Sequence, residues 1–393
     1  MQKLGALALV LLMAMNASAQ DDAWDGKAFE PQAGKGILDH MDVGVNVGTT
    51  GIGISVAAPV GKYVRVRAGY DYMPRISLKS DFRIETRNGS VKDLISKIDK
   101  IDEKIASYGL DINDPAFEDY KKMLDQFRSM EQKDYVTLNL KPTLHQFKFL
   151  VDVMPFRKNK HWSLTAGFFV GPSEIGEAHN LSKDELYLEG VNTYNSIYVD
   201  YCINQGIGPN GNMLQSNGPR SDVFYRYGMA GFNLGTFADG KRAMMVPSDD
   251  NTAQAVMKVN SFRPYFGLGY NTHLSRNRRW NMNVDAGVLF LFGSPSVYVD
   301  NVYKIDMSAD LRFDEDGNYL SGMGFDADDN YYGDIVRCNP KTLEYEFVGE
   351  KLDHVDMIHD LKDVPGKVGD MVDLVSMLKV YPNLSVTFSY RLF

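Results

Sequence analysis

The residues of this chain able to do chemistry are mostly charges set at every second position of apolar segments. Arg65, Arg67 and Asp71 share one such segment, Lys148 and Asp152 another, and Arg263, Asp285 and Arg391 stand on the polar side of three more. Guanidinium, ammonium and carboxylate groups repeated at this spacing have two uses. They pair with one another across an enclosed interior, or they line a charged path for a solute. Pairing is the reading that a narrow, self-filled interior favours.

Other chemistries are poorly represented. Acyl transfer needs a serine, a histidine and an orienting partner; His145 is the one histidine expected at an outer rim, no serine adjoins it, and no Gly-x-Ser-x-Gly elbow occurs. No catalytic residue is assigned, and a non-enzymatic protein is expected. His354 and His359 fall in an expected acidic helix with Asp353, Asp356, Asp360 and Asp363, where a spacing of five does not bring two imidazoles to one face. Asp314-Glu315-Asp316-Gly317-Asn318 and the cluster Asp326, Asp328 and Asp329 offer oxygens to calcium. They lack the EF-hand order and read first as turns, so neither a metal nor a cofactor is expected. Cys202 and Cys338 are the only cysteines; a disulfide between them and a pair of free or buried thiols stand as equal readings.

The elements that must position these charges are strands. Eight segments alternate apolar with polar residues, as a barrel wall does when one side chain meets lipid and the next the lumen. Val43, Val45 and Val47 open the series, and Ile52, Ile54 and Val56 follow after Thr49-Thr50-Gly51. The third is the clearest: Val64, Val66, Ala68, Tyr70 and Tyr72 oppose Arg65, Arg67, Gly69 and Asp71. Phe147 to Val153, Trp162 to Val170, Phe266 to Tyr270, Trp280 to Phe292 and Leu384 to Leu392 complete the set. Arginines and aspartates cannot face hydrocarbon, so the charged face is the lumen. Trp162, Trp280, Tyr70, Tyr72 and Tyr390 fall towards segment ends, where an interfacial aromatic girdle belongs.

The fold class expected is therefore all-β: an antiparallel transmembrane β-barrel of eight strands, with an α-helical hairpin inserted in one long loop. Connections between the segments alternate short and long, except for the short first hairpin, and an even count returns both ends of the wall to one side. The opposing reading is a soluble antiparallel sandwich, which alternates in the same way.

Residues 1–19 read as a signal peptide, with Lys3, an apolar run from Leu4 to Met15 and Ala17-Ser18-Ala19. Residues 20–40 form a periplasmic lead and 41–393 the barrel, with inserts at 78–141, 172–260 and 294–380. No later stretch carries the ~20 apolar residues of a spanning helix, so passage through a membrane falls to strands. A net charge of −9 argues against a nucleic-acid partner.

The inserts carry their own signals. Leu94, Ile98, Ile101 and Ile105, then Asp114-Pro115 with Phe117, Tyr120, Leu124 and Phe127, predict two helices folded on each other. Tyr194 to Tyr201 and Phe224 to Tyr227 interleave aromatic with polar residues. They read first as short strands above the membrane, which would raise the count to ten or more if they reach its height, and second as a surface for a glycan or protein. Residues 300–379 hold nineteen Asp and Glu against eight Lys and Arg, so this insert's excess exceeds the net charge of the chain.

The run Val259 to Tyr270, the basic turn after it and Gly293-Ser294-Pro295 resemble the small, mostly uncharacterised outer-membrane β-barrel proteins of Bacteroides-type bacteria. The hairpin from Val47 to Gly53 shares the likeness, as do Phe388, Tyr390 and the terminal Phe393, which resemble the signal read by the barrel-assembly machinery. In this chain the apolar set ends at Leu392, out of phase with Phe393. The resemblance implies an outer-membrane location, with membrane lipid and the assembly machinery as partners, and it brings no reaction. The expected function is the display of large surface loops for binding or envelope structure. A narrow pore and a lipid-modifying enzyme are the alternatives.

Overall fold

The structure, a computed structural model, describes residues 38–392 apart from 87–88, 97–114, most of 116–134, 157–159, 204–227, 276–277, 294, 306–330, 333–335, 339–344 and 348–349. Of 197, 199–203, 331–332, 336–338 and 345–347 it describes the backbone alone. Eight strands close into an antiparallel barrel: β1 (Asp42–Gly48), β2 (Gly51–Gly61), β3 (Val64–Tyr72), β7 (His145–Val153), β8 (Trp162–Val170), β13 (Phe262–His273), β14 (Trp280–Phe290) and β23 (Val380–Arg391). The last pairs with the first over Asp42↔Arg391 to Gly48↔Ser385, so the wall has no free edge.

Alternation in the sequence becomes alternation in space. Along β1, Asp42, Gly44 and Asn46 are buried while Val43, Val45 and Val47 are exposed. The outward face is apolar around the wall: Ile54, Phe147, Leu268 and Phe388 are all about half exposed or more. Aromatic pairs mark both ends of this belt. Trp162 meets Tyr270 and Trp280 meets Tyr390 at 5.1 Å near the short turns, and Tyr70 meets Phe147 at 4.8 Å at the opposite rim. A sandwich would have buried this face against a second sheet; here no described residue covers it.

Three of the four connections at the outer rim are long, and together they build a second body. Its strands are β4 (Leu78–Thr86), β5 (Gly89–Ser90), β6 (Tyr135–Pro142), β9 (Glu174–Asn180), β10 (Gly231–Phe237), β11 (Arg242–Met245), β12 (Gln254–Lys258), β15 (Ser296–Val299), β16 (Val302–Ile305), β20 (Glu350–Leu352), β21 (Val355–Asp356) and β22 (Leu361–Lys362). A three-stranded sheet, β17 (Tyr331–Tyr332), β18 (Val336–Cys338) and β19 (Tyr345–Phe347), is hydrogen-bonded separately from it. Among the described residues α1 (Glu185–Ile203) and α2 (Gly366–Ser376) join the outer body, and residues 91–96 are a further helical stretch with Leu94 buried.

The outer sheet forks. Strand β4 pairs with β6 through Leu78–Arg83 and with β10 through Ile84–Glu85, which starts two arms. They meet again because β15 continues into β16, and β20 into β21, across two-residue corners. At those corners Asn301 and His354 take φ of 57° and 60°, a left-handed conformation in which Asn and His are enriched. Between the arms lies an apolar core that includes Ile84, Val136, Leu188, Tyr194, Phe232, Met244 and Val302.

Three expectations need correction. Residues 78–86 and 135–142 of the expected helical insert are strands, following the alternation of Phe82 and Ile84, and of Val136, Leu138 and Leu140, with polar residues. Tyr194 to Tyr201 lie within α1 and not in a strand: Leu188, Val191, Tyr194, Asn195 and Tyr198 recur at helical spacing and are buried. The barrel wall has the eight strands expected. The acidic segment around His354 and His359 is turns and two-residue strands, because Asp carboxylates accept from the backbone donors that a helix would use. The helical stripes from Ile98 onward, Phe224–Tyr227, the acidic clusters at 314–329, the signal peptide and Phe393 lie outside the described residues. So do the side chains of Cys202 and Cys338.

Candidate functional site

Two interiors can do chemistry, the barrel lumen and the space above it. In the lumen, Asp152 is the hub. Its Oδ2 accepts from Arg65 Nε at 2.8 Å and its Oδ1 from Arg67 Nη2 and Thr165 Oγ1, both at 2.8 Å. Arg67 also pairs with Asp285 and donates to Asn283 Oδ1 at 3.1 Å, while Tyr265 donates its phenolic proton to Asp285. A second cluster joins Lys148 Nζ to Asp71 Oδ1 at 2.7 Å, with Asn46 and Thr50 donating to the same carboxylate at 2.9 and 3.0 Å. Arg391 reaches Asp42 at 3.4 Å.

Arg263 differs from the rest. It has no carboxylate partner among its hydrogen bonds: Gln146 Oε1 at 2.8 Å and the carbonyls of Asn260 and Pro172 at 2.9 and 2.5 Å receive its donors. Its fork ties β13 to β7 and to the start of the β8–β9 connection at the barrel mouth. The other seven charges named from the sequence are gathered in three carboxylate-centred clusters on Asp152 with Asp285, Asp71, and Asp42. The charges singled out from the sequence did not include Asp42, nor the neutral partners Asn46, Thr50, Gln146, Thr165, Tyr265 and Asn283. Of these, all but Thr50 lie in barrel strands at the same inward parity.

An apolar cluster shares the lumen with the ions. Leu150, Phe169, Tyr265 and Leu289 pack together with Tyr381 against them, and the Phe169 and Tyr265 rings meet edge to face at 5.6 Å. Gly267 and Gly287 give the Tyr265 ring its place, since a Cβ on either would collide with the phenol. At the inner end the space bounded by Arg65, His161 and Asn283 measures about 10 Å³, no more than one water fills. Ion pairs and apolar side chains thus fill the described lumen, as eight strands permit.

The second interior is larger and of opposite character. A cavity of about 360 Å³ lies between the outer sheet, α2 and the barrel rim, within the range of roughly 300–1,000 Å³ of ligand pockets. The sheet supplies Phe82, Leu138, Met257 and Val299; α2 supplies Met371 and Val375; Met73, Leu291 and Tyr381 close the barrel side. Its charged lining residues are Arg83, Lys141 and Glu177.

The corner that joins the two arms is polar. Asp300 Oδ1 accepts from the backbone N–H of His354 at 2.8 Å and lies 2.6 Å from its Nδ1, while Asp353 Oδ1 accepts from Asn301 N–H at 3.2 Å. Burial alone would raise the Asp300 carboxyl; the hydrogen bonds and charge of His354 outweigh it and hold the group below its ordinary value. Asp356, beside His359 at 2.7 Å, is lowered in the same way, burial opposing the hydrogen bonds of Ser296 and His359. The two histidines therefore serve separate carboxylates. Among the described residues no cluster has the composition of a metal site. His145 sits at the outer end of β7 with its ring 6.4 Å from Tyr70.

No protein-family model matches the chain, and no curated protein does. Among solved structures it is similar to CarO2 of Acinetobacter baumannii, at 13% identity and a TM-score of 0.33, over 91% of this chain and 100% of that one. CarO of the same organism is similar at 9% identity and a TM-score of 0.33, over 91% of this chain and 99% of the other. Scores this low assign neither family nor function, and the reading of the chain rests on its own geometry.

Proposed function

We propose that this chain is a non-enzymatic outer-membrane protein, a sealed barrel that anchors a folded outer β-body presenting a binding site at the cell surface. The carrying observation is the reversal of polarity between its two halves: the barrel exposes Val45, Ile54, Phe147 and Leu268 and buries its charges. Only a surrounding of lipid makes that arrangement stable, since lipid-facing charge and water-facing apolar belts are both costly. The leader-like residues 1–19, the likeness to barrels of Bacteroides-type bacteria and the aromatic C-terminal strand with Phe388 and Tyr390 support export, this source and delivery by the assembly machinery.

Heat-modifiable migration in detergent gels, combined with protease treatment of whole cells, tests the proposal. A barrel shifts on boiling and its outer body is cleaved from outside; an unshifted protein recovered uncut from the periplasm would sink it. The narrow-pore reading is opposed by the Asp152 and Asp71 clusters and by the Phe169–Tyr265 plug. Stable single-channel conductance in planar bilayers would restore it.

A further inference from the structure

Resting on that placement, we infer that the foot of the outer body is itself seated in the lipid leaflet, held by the last turn of α2 with Phe292 on one side of the barrel and by Ile76 on the other. Exposed apolar side chains of the outer body are concentrated at this level. Among the described residues Ile76, Leu374 and Met377 are each more than half exposed, as is Leu78, which also borders the cavity, and Phe292 joins them just past the end of β14. Higher up, the only large apolar residues exposed among those described are Tyr135 and Leu186, each by less than half. Met377, at 75%, stands out further than any residue of the barrel's own apolar belt.

The patch continues the lipid-facing wall. On β14 the outward residues run from Trp280 to Phe290, and Phe292 follows at the same parity. Pairing with β23 goes on past Phe290↔Val380 to a bond from Leu291 N–H to the Lys379 carbonyl at 3.0 Å, which sets Phe292 beside the end of α2. The helix is graded along its length. Its exposed side chains are Lys367, Asp370 and Asp373 over the first turns and then Leu374 and Met377, while Met371, Val372 and Val375 line the cavity on its other face. A polarity that changes along a helix towards an apolar belt, rather than around it, marks a boundary between two solvents.

Two observations favour lipid over a second protein as the partner. Ile76 follows β3, which lies four strands round the closed barrel from β14, so the exposed apolar residues stand on opposed sides of the rim. A protein partner covers one contiguous patch, whereas a leaflet surrounds the wall and meets both sides. Each side also carries an exposed cation, Arg75 next to Ile76 and Lys379 two residues past Met377. Such side chains lay their stems along apolar surface and keep the charge at the polar layer, where lipid phosphates lie.

Photo-cross-linking of the full mature chain in phosphatidylcholine vesicles tests the inference. Benzoyl-phenylalanine takes the place of Met377, Ile76, Leu268 or Tyr135, one at a time, and mass spectrometry identifies the adducts of chains that shift on heating. Phospholipid adducts are expected from Met377 and Ile76 as from Leu268 on the belt, and not from Tyr135 at the end of β6 away from the barrel. The yield at each foot should exceed that at Tyr135 by about tenfold or more, a ratio equal to about 1.4 kcal/mol of preference for lipid. Leu374→Asp, at an exposed side chain, should lower the Met377 yield several-fold and leave that of Leu268 unchanged. A yield at either foot no higher than at Tyr135 while Leu268 is labelled would overturn the inference, and so would capture of a second copy of the chain in place of lipid at Met377. Loss of the Leu268 adduct as well would overturn the membrane placement first and this inference with it.

Discussion

The barrel and the outer body are built from one chain with the same period-two alternation, yet each turns it inside out relative to the other. In the barrel the buried residues are Arg67, Lys148, Asp71, Asp152 and Asp285, and the exposed ones are Val, Ile, Leu and Phe. In the outer body Ile84, Val136, Phe232 and Val302 are buried, and Lys79, Arg83, Glu350 and Lys351 are exposed. The hydrophobic effect orders the second and solvation by lipid the first, so polarity of the core reports the solvent outside. The boundary between the two regimes falls between the plug of Phe169, Tyr265 and Tyr381 and the cavity floor, and Tyr381 belongs to both.

Substitutions break this comparison in order of size. Asp152→Ala should cost the most, on the order of 3–5 kcal/mol, because it leaves Arg65 and Arg67 buried without their shared carboxylate. Urea unfolding in bilayers measures it, and a loss below 1 kcal/mol would show that water enters the lumen. Leu188→Ala in α1 should cost about 2–5 kcal/mol in the outer body alone. Its signature is faster proteolysis of the outer strands with an intact heat shift; a barrel that opens with it would show the two bodies to be one cooperative unit.

A third substitution compares the two outward faces directly. Leu268→Arg, midway along β13 and 53% exposed, should destabilise by about 2–4 kcal/mol against lipid. Tyr135→Arg, 44% exposed at the start of β6, should stay within about 0.5 kcal/mol against water. Equal costs at the two sites would place both faces in the same solvent.

The smallest effect sharpens the corner. Asp300 and Asp356 both have folded carboxyls below the ordinary 3.8, so their contribution is present above that value and is lost as the pH falls below it. The outer body should loosen in acid while the barrel holds, by no more than the roughly 0–1 kcal/mol of exposed ion pairs. Acid protease resistance measured across this range should lose its pH dependence in part in Asp300→Asn. An unchanged profile would mean that the corner carries no such linkage.

Much of the wall was legible because a barrel strand repeats one simple rule. Arg65, Arg67 and Asp71 against Val64, Val66 and Tyr70 settled both the period and the polarity of the inside. Residues 353–363 were misread because spacing alone cannot show Asp300 accepting from His354 N–H across 54 residues. The helix at Tyr194 was missed by reading eight residues where the stripe runs from Leu188 to Tyr198. Strands β4 and β6 were masked by the stronger helical stripes between them. The cavity had no sequence signature, since its walls come from several strands, none giving more than three ordinary apolar residues, and from α2, which gives four.

Alternation along eight segments and the short turns between them were sufficient to determine a closed wall with charges inside, because a strand's faces are set locally by its pleat. Tertiary structure alone decided which charges share a carboxylate, that apolar rings pack beside them in the lumen, and that three long connections join into one forked sheet around a cavity. Those outcomes depend on contacts between residues tens to hundreds of positions apart, and no local periodicity encodes a long-range distance.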